Sequence, residues 1–186
     1  MKLRNGFVSN SSSTSFTFCF KGNKIETLYN MILKYRRYFD LSFSGWDEYA
    51  YTCNASDIVK SIEGLMKNNE KAEWDKIEIM TINDLIEVNK KDIKEMDREI
   101  AESKKEKKIC GYDSTKWKME IKQHYADKIE TLNRIKKQGP DHAVIIGFGD
   151  NDGNISGGDV GNAMDYEGRN IHISEKDFAV FTEQNR

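Results

Sequence analysis

The feature that most constrains this chain is a pair of seams in its middle third. Ile82, Ile86, Asn89, Ile93, Met96 and Ile100 recur at alternating steps of four and three. Trp117, Ile121, Tyr125, Ile129 or Lys128, Leu132 and Ile135 repeat the pattern further on. Such spacing lays each set along one stripe of an α-helix, as in a coiled coil. Thr81 with Asp84 reads as a helix start, and Asp113 or Ser114 as a second one after the interruption at Gly111. Gly139-Pro140 reads as a stop, because glycine accepts the terminal backbone conformation and proline cannot continue a helix. Residues 81–139 therefore predict a long antiparallel helical hairpin inserted in a single domain of residues 1–186. With about 25 residues per helix and about 1.5 Å per residue, the arm reaches roughly 35–40 Å. A two-helix seam buries little, so the arm is expected to be held at its root and exposed at its tip, from Lys107 to Tyr112, with Cys110 among them.

Charge surrounds the seams. Residues 82–108 carry eight basic and eight acidic side chains, with i,i+4 pairs such as Glu87–Lys91 and Arg98–Glu102. Residues 114–137 carry seven basic against three acidic ones. Lys116, Lys118, Lys122, Lys128, Arg134, Lys136 and Lys137 are thus the candidate partner-binding residues.

The flanks read as a body. Phe16-Thr17-Phe18-Cys19-Phe20 alternates, placing three phenylalanines on one face of a strand. Asn23 with Glu26 resembles a capping box for a helix carrying Ile25, Leu28, Tyr29, Ile32, Arg36 and Phe39. Residues 41–53 read as irregular or strand-like, and Asn54 caps a second helix through Ile58, Val59, Ile62, Leu65 and Met66. Residues 76–80 alternate as a short strand; 142–148 form an apolar run typical of a central strand. Residues 170–174 alternate, and 178–181 form a last strand or short helix. The expected class is α+β: a small mixed or antiparallel sheet from both chain ends, two packed helices and the inserted hairpin.

Composition bounds the class of protein. With 38% hydrophobic and 32% charged residues, and a mean hydropathy of −0.73, a core is affordable beneath a large solvated surface. No apolar run approaches the roughly 18–20 residues that span a bilayer, and the N-terminus lacks the apolar stretch of a signal peptide. The chain is expected to stay in the compartment where it is made, the cytoplasm, with no membrane partner. Cys19, Cys53 and Cys110 are odd in number and widely spaced, which argues against structural disulfides and a thiolate zinc site. The net charge of −2 is uneven: residues 1–40 hold seven Lys/Arg against Glu26 and Asp40, whereas 141–186 hold nine Asp/Glu against three Lys/Arg.

Two further sites are candidates. Asp150-Asn151-Asp152-Gly153 followed by Asp159 resembles the second half of a calcium loop, so Asp150, Asp152 and Asp159 are the ligands if a divalent cation is held there. The first ligand position falls on Phe148, however, and turn chemistry alone explains Asp-Asn-Asp-Gly. Lys34-Tyr35-Arg36-Arg37-Tyr38 interleaves cations with aromatic rings, making Lys34, Arg36 and Arg37 the nucleic-acid candidates. His124, His142 and His172 have no carboxylate or cysteine at ligand spacing. No nucleophile elbow, zinc-helix or P-loop motif appears, so no catalytic residue and no resident cofactor are assigned.

Residues 4–16, Arg-Asn-Gly-Phe-Val-Ser-Asn-Ser-Ser-Ser-Thr-Ser-Phe, resemble the stretch R-x-G-F-V-S-N-S-S-S-S-S-F at the N-terminus of many small phage-encoded and bacterial proteins of unknown function. Thr14 replaces one serine, and the match covers 13 of 186 residues. The resemblance implies a phage or mobile-element origin and carries no activity. Three functions are open from sequence. The leading one is a phage-type accessory or inhibitor protein that binds a host protein or nucleoprotein complex, by analogy with inhibitors of bacterial defence. The others are a divalent-metal domain or enzyme at the Asp loop, and a nucleic-acid-binding protein.

Overall fold

The structure, a computed structural model, describes residues 13–44, 50–69, 77–110, 114–149, 160, 163–164, 168 and 171–183. In chain order the elements are β1 (Ser13–Phe20), α1 (Ile25–Lys34), β2 (Leu41–Ser44), β3 (Ala50–Cys53), α2 (Ala55–Asn69), β4 (Met80–Thr81), α3 (Ile82–Cys110), α4 (Thr115–Gln138), β5 (His142–Gly149), β6 (Ile173–Ser174) and β7 (Phe178–Glu183). A single 3-10 turn, Arg36–Tyr38, follows α1. One antiparallel sheet has the order β4-β5-β1-β7-β6, and β2 and β3 form a separate hairpin. The class is α+β, as the alternating and helical patterns require.

Strand register explains why the two faces of the sheet take different partners. Phe18 lies beside Val144 and Val180, and Phe16 beside Ile146. These large side chains, with Phe20, Phe148 and Phe178, meet Leu28 and Ile32 of α1 and Ile58 and Ile62 of α2 in the main core. Ala163, Met164 and Ile171 complete it. Burying each phenylalanine contributes about 1.5–3 kcal/mol relative to exposure. The opposite face carries smaller residues: Cys19 lies beside Ala143 and Ala179. Against them Ile82, Leu85 and Ile86 of α3 and Leu132 and Ile135 of α4 form a second core, edged by Ile129, Ile145 and Phe181. Small side chains let the two helices sit close to the strands there.

The hairpin enters and leaves between hydrogen-bonded neighbours. Met80 pairs with Ala143 and Thr81 with His142, so α3 departs beside the point where the chain returns from α4. The Ile82 amide donates to the Asp141 carbonyl at 2.9 Å and closes the root. The expected caps hold at Thr81, Asn54 and Gly139. Thr81 Oγ1 accepts from the Asp84 amide at 3.1 Å and donates to its carboxylate at 2.6 Å. Asn54 Oδ1 accepts from the Ser56 and Asp57 amides, and its own amide donates to the Asp57 carboxylate. Gly139 ends α4 with φ of +139°.

Four local expectations are corrected. The capping box at Asn23 does not form, because α1 begins one residue later, at the Lys24 N-cap, with no side-chain cap bond. The strand expected over 76–80 is paired only at Met80 and Thr81, and Lys76 lies outside the described residues. Glu87 and Arg98 pair at i,i+3, with Lys90 at 2.7 Å and Glu95 at 2.5 Å, not at i,i+4. Trp117 is not in the seam: it is 57% exposed. Elsewhere the ambiguous stretches resolve as strands, 41–44 and 50–53 as the paired β2 and β3 and 178–183 as β7.

Candidate interaction surfaces

The arm changes character along its length. Its root is anchored on the sheet by the isoleucines and leucines of the second core. Beyond Asn89 the helices have mainly each other. Asn89 is buried in the seam and its amide returns to the Leu85 carbonyl at 2.7 Å. Ile100 and Ser103 are buried further out, apart from either cluster formed with the sheet. From Asn89 to Cys110 the helical rise is about 1.5 Å per residue, so this outer part is roughly 32 Å long.

Lysine occupies seam positions there. Reading back from Ile135 in steps of three and four gives Leu132, Lys128, Tyr125, Ile121 and Lys118. Lys128 is buried. Lys118 keeps only 18% of its side chain exposed; its Nζ donates to Ser103 Oγ at 2.9 Å and lies 3.3 Å from the Glu99 carboxylate. Ser114, the residue at the N-cap of α4, directs its hydroxyl to Ser103 at 3.1 Å and makes no capping bond. Beside the seam, Lys122 reaches Asp97 at 2.5 Å. The Asp92 carboxyl is held above its ordinary value by burial, opposed by the Lys128 charge and reinforced by Glu95.

The seven basic residues expected to meet a partner therefore divide. Lys118, Lys122 and Lys128 are used inside the hairpin, and Lys136 donates to Asn83 Oδ1 at 2.7 Å. Lys116, Arg134 and Lys137 are exposed. The sequence count of charges could not separate these groups, because seam membership depends on a heptad phase that Trp117 and Lys118, as neighbours, both nearly satisfy. The consequence is an unforeseen surface. With Lys118 turned inward, Trp117 and Met119 flank it on opposite sides of α4, each 57% exposed. Among the described residues the only other exposed large apolar side chain is Leu33, at 44%.

The second basic set surrounds the end of α1. Lys34, Arg36 and Arg37 are exposed. The Tyr35 ring stacks on Phe178, with centroids 5.6 Å apart and planes 8° from parallel, and Lys34 Nζ lies 4.9 Å from its centroid. Arg37 lies over the Tyr38 ring at 4.7 Å, donates to the Tyr38 hydroxyl at 2.8 Å and pairs with Glu175 at 3.5 Å. Tyr38 in turn donates to Glu175. The Tyr35 and Tyr38 rings are thus already covered by their own neighbours.

Asp150, Asp152 and Asp159 lie outside the described residues. Among the described residues no group of three or more His, Cys, Asp or Glu side chains is arranged to hold a metal ion. His142 is bonded to Asp141 at 2.8 Å. Burial alone would raise the Asp141 carboxyl, but the His142 ring and the Gly22 amide, at 2.7 Å, hold it below its ordinary value. Cys19 and Cys53 are buried. No described helix is long and apolar enough to cross a membrane. Compared with known proteins, the chain matches no family model, no curated protein and no solved structure.

Proposed function

We propose that this chain is a binding protein, a phage-type accessory or inhibitor that engages a host protein or nucleoprotein complex through the outer part of its helical arm. The observation that carries this reading is the exposure of Trp117 and Met119, 57% each, on the outer part of a hairpin whose root is buried against the sheet. Tryptophan and methionine are enriched at protein interfaces, and tryptophan is enriched among residues that dominate binding energy. The arm holds them away from the body on two sides of α4, so a partner that reaches both must grip the helix between them. Ser103, Ser114, Lys118 and Glu99 bond to one another in its seam, and among the described residues of the arm Trp117 and Met119 are the large apolar side chains left exposed. The phage origin rests on the N-terminal resemblance.

The test replaces residues 90–130 with a short Gly-Ser linker and compares pull-downs from a bacterial lysate. The intact chain should retain a partner that the armless chain loses, while circular dichroism shows the body still folded. A folded armless body that keeps the same partner removes the arm from the binding reaction.

A further inference from the structure

Two basic sets that are a hundred residues apart in the chain meet at one end of the sheet, where β1 finishes and β5 and β7 begin. Lys21 and Lys24 sit in the turn after β1, which is tied to Asp141 through the Gly22 amide at 2.7 Å. Lys137 precedes Gln138, whose Oε1 lies 3.1 Å from Ser174 Oγ. Gly139 presses on the Lys176 carbonyl so closely that an added Cβ would stand 2.5 Å from it. Lys176 follows Glu175, which Arg37 reaches at 3.5 Å, and Arg36 adjoins. The β6–β7 turn is therefore bracketed by the end of α1 on one face and the end of α4 on the other.

The charges on this rim are not equally spoken for. Glu175 is paired with Arg37 and Tyr38, and Asp141 with His142 and Gly22. Lys21, Lys24, Arg36, Lys137 and Lys176 are exposed. Against these five stand Glu26, Asp40, Asp141 and Asp177, so cations are in surplus by one. α1, which separates Lys24 from Arg36, has ten residues, a rise of roughly 15 Å.

We propose that this rim is a second docking face, shaped for the phosphate backbone of a nucleic-acid duplex. A protein partner needs an apolar centre, and on this layer Leu33 is the single large apolar side chain left exposed among the described residues. A single strand needs open rings, and Tyr35 and Tyr38 are covered by Lys34 and Arg37. A row of exposed cations suits phosphates, which are read without regard to sequence. The inference is independent of the arm; together the two surfaces suit a nucleoprotein complex.

The experiment is fluorescence anisotropy of a labelled duplex of about 20 base pairs with the full chain. Binding should be weak, in the non-specific range of about 10⁻⁴–10⁻⁶ M. If all five cations neutralise phosphates, log K falls with log salt at a slope of about −4.5, roughly 500-fold between about 50 and 200 mM. R36E/K137E/K176E should abolish it, R36Q/K137Q/K176Q should weaken it, and W117A/M119A should leave it unchanged. Poly-glutamate should not bind. The proposal is overturned by no anisotropy change at about 50 mM salt or by a wild-type slope shallower than about −1, neither of which needs a variant. It is equally overturned by loss of binding in the arm variant, by retention in the folded rim variants, or by equal binding of poly-glutamate, which would make an acidic polypeptide the partner.

Discussion

Lys118 Nζ donates to Ser103 Oγ at 2.9 Å across the outer half of the arm, at a seam position where a coiled coil places an apolar side chain. With buried Asn89 and Lys128 it makes the outer seam polar, in contrast to the aliphatic root. Polar seam residues limit the number of ways two helices can pair, at some cost in stability. Here they also decide what the arm shows to solvent, since turning Lys118 inward places Trp117 outside.

The Asp92–Lys128 neighbourhood gives the first prediction. Removing one member leaves the other charge half-buried, so Lys128→Met should lower the resistance of the arm to hydrogen exchange and proteolysis. The double substitution Asp92→Leu/Lys128→Met removes both charges and should be neutral or stabilising. Amide exchange between residues 89 and 104 reads the difference. An arm less affected by the single change than by the double would show that the two charges are not coupled.

The same carboxyl sets a pH dependence. Burial, opposed by Lys128 and reinforced by Glu95, raises the folded Asp92 above its unfolded value, so the folded arm holds this proton more tightly. Its contribution to stability is fully present below the ordinary carboxylate range and is lost as pH rises through the higher folded value. Asp141 has the opposite sign: its lowered carboxyl stabilises above the ordinary range and loses that contribution as pH falls through the folded value. Asp92→Asn should thus flatten the decline in arm stability with rising pH, and Asp141→Asn the loss of body stability on acidification. Thermal unfolding across the acidic range, alongside exchange of arm amides, separates the two.

Gly139 supplies a backbone prediction. Its φ of +139° is unfavourable for any side chain, and a Cβ would stand 2.5 Å from the Lys176 carbonyl oxygen. Gly139→Ala should destabilise by about 1–3 kcal/mol, a fall in Tm of roughly 2–10 °C for a domain of this size. A scan by circular dichroism checks it; an unchanged Tm would mean that the β6–β7 turn moves away freely.

Periodicity made the secondary structure legible, but not what depends on contacts between distant segments. Ile82 to Ile100 is regular enough to define α3, and Thr81, Asn54 and Gly139 carry the local chemistry of their caps. The alternation of Phe16, Phe18 and Phe20 identified the main core face. The other face was harder, because Cys19, Ala143 and Ala179 gain meaning only once strand register sets them in one row. Seam phase was ambiguous where Trp117 and Lys118 compete, and an internal ion pair resolved it against hydropathy. The basic rim lay beyond local reading, since Arg36, Lys137 and Lys176 meet only through the topology of the sheet.

The small-residue row predicts an asymmetry between the faces. Ala143→Leu adds bulk where Ile82 and Leu85 already close on the strand, and should cost about 1–3 kcal/mol by overpacking the hairpin root. Phe16→Ala on the opposite face should cost about 3–5 kcal/mol by leaving a cavity against Phe148. Equilibrium denaturation measures both, and exchange at the root of α3 should rise more in the first variant.

Trp117 separates stability from binding. At 57% exposed, outside the seam, its replacement by alanine should change stability by no more than about 0.5 kcal/mol. If it is the arm's principal contact, the same change should cost a partner about 2 kcal/mol or more, roughly thirty-fold in affinity. Thermal unfolding and retention of a lysate partner, measured on one preparation, give the two numbers. A Trp117→Ala chain that unfolds at the wild-type temperature and still retains its partner at the wild-type level would place the contact elsewhere on the arm. A chain that loses several degrees would return Trp117 to the seam.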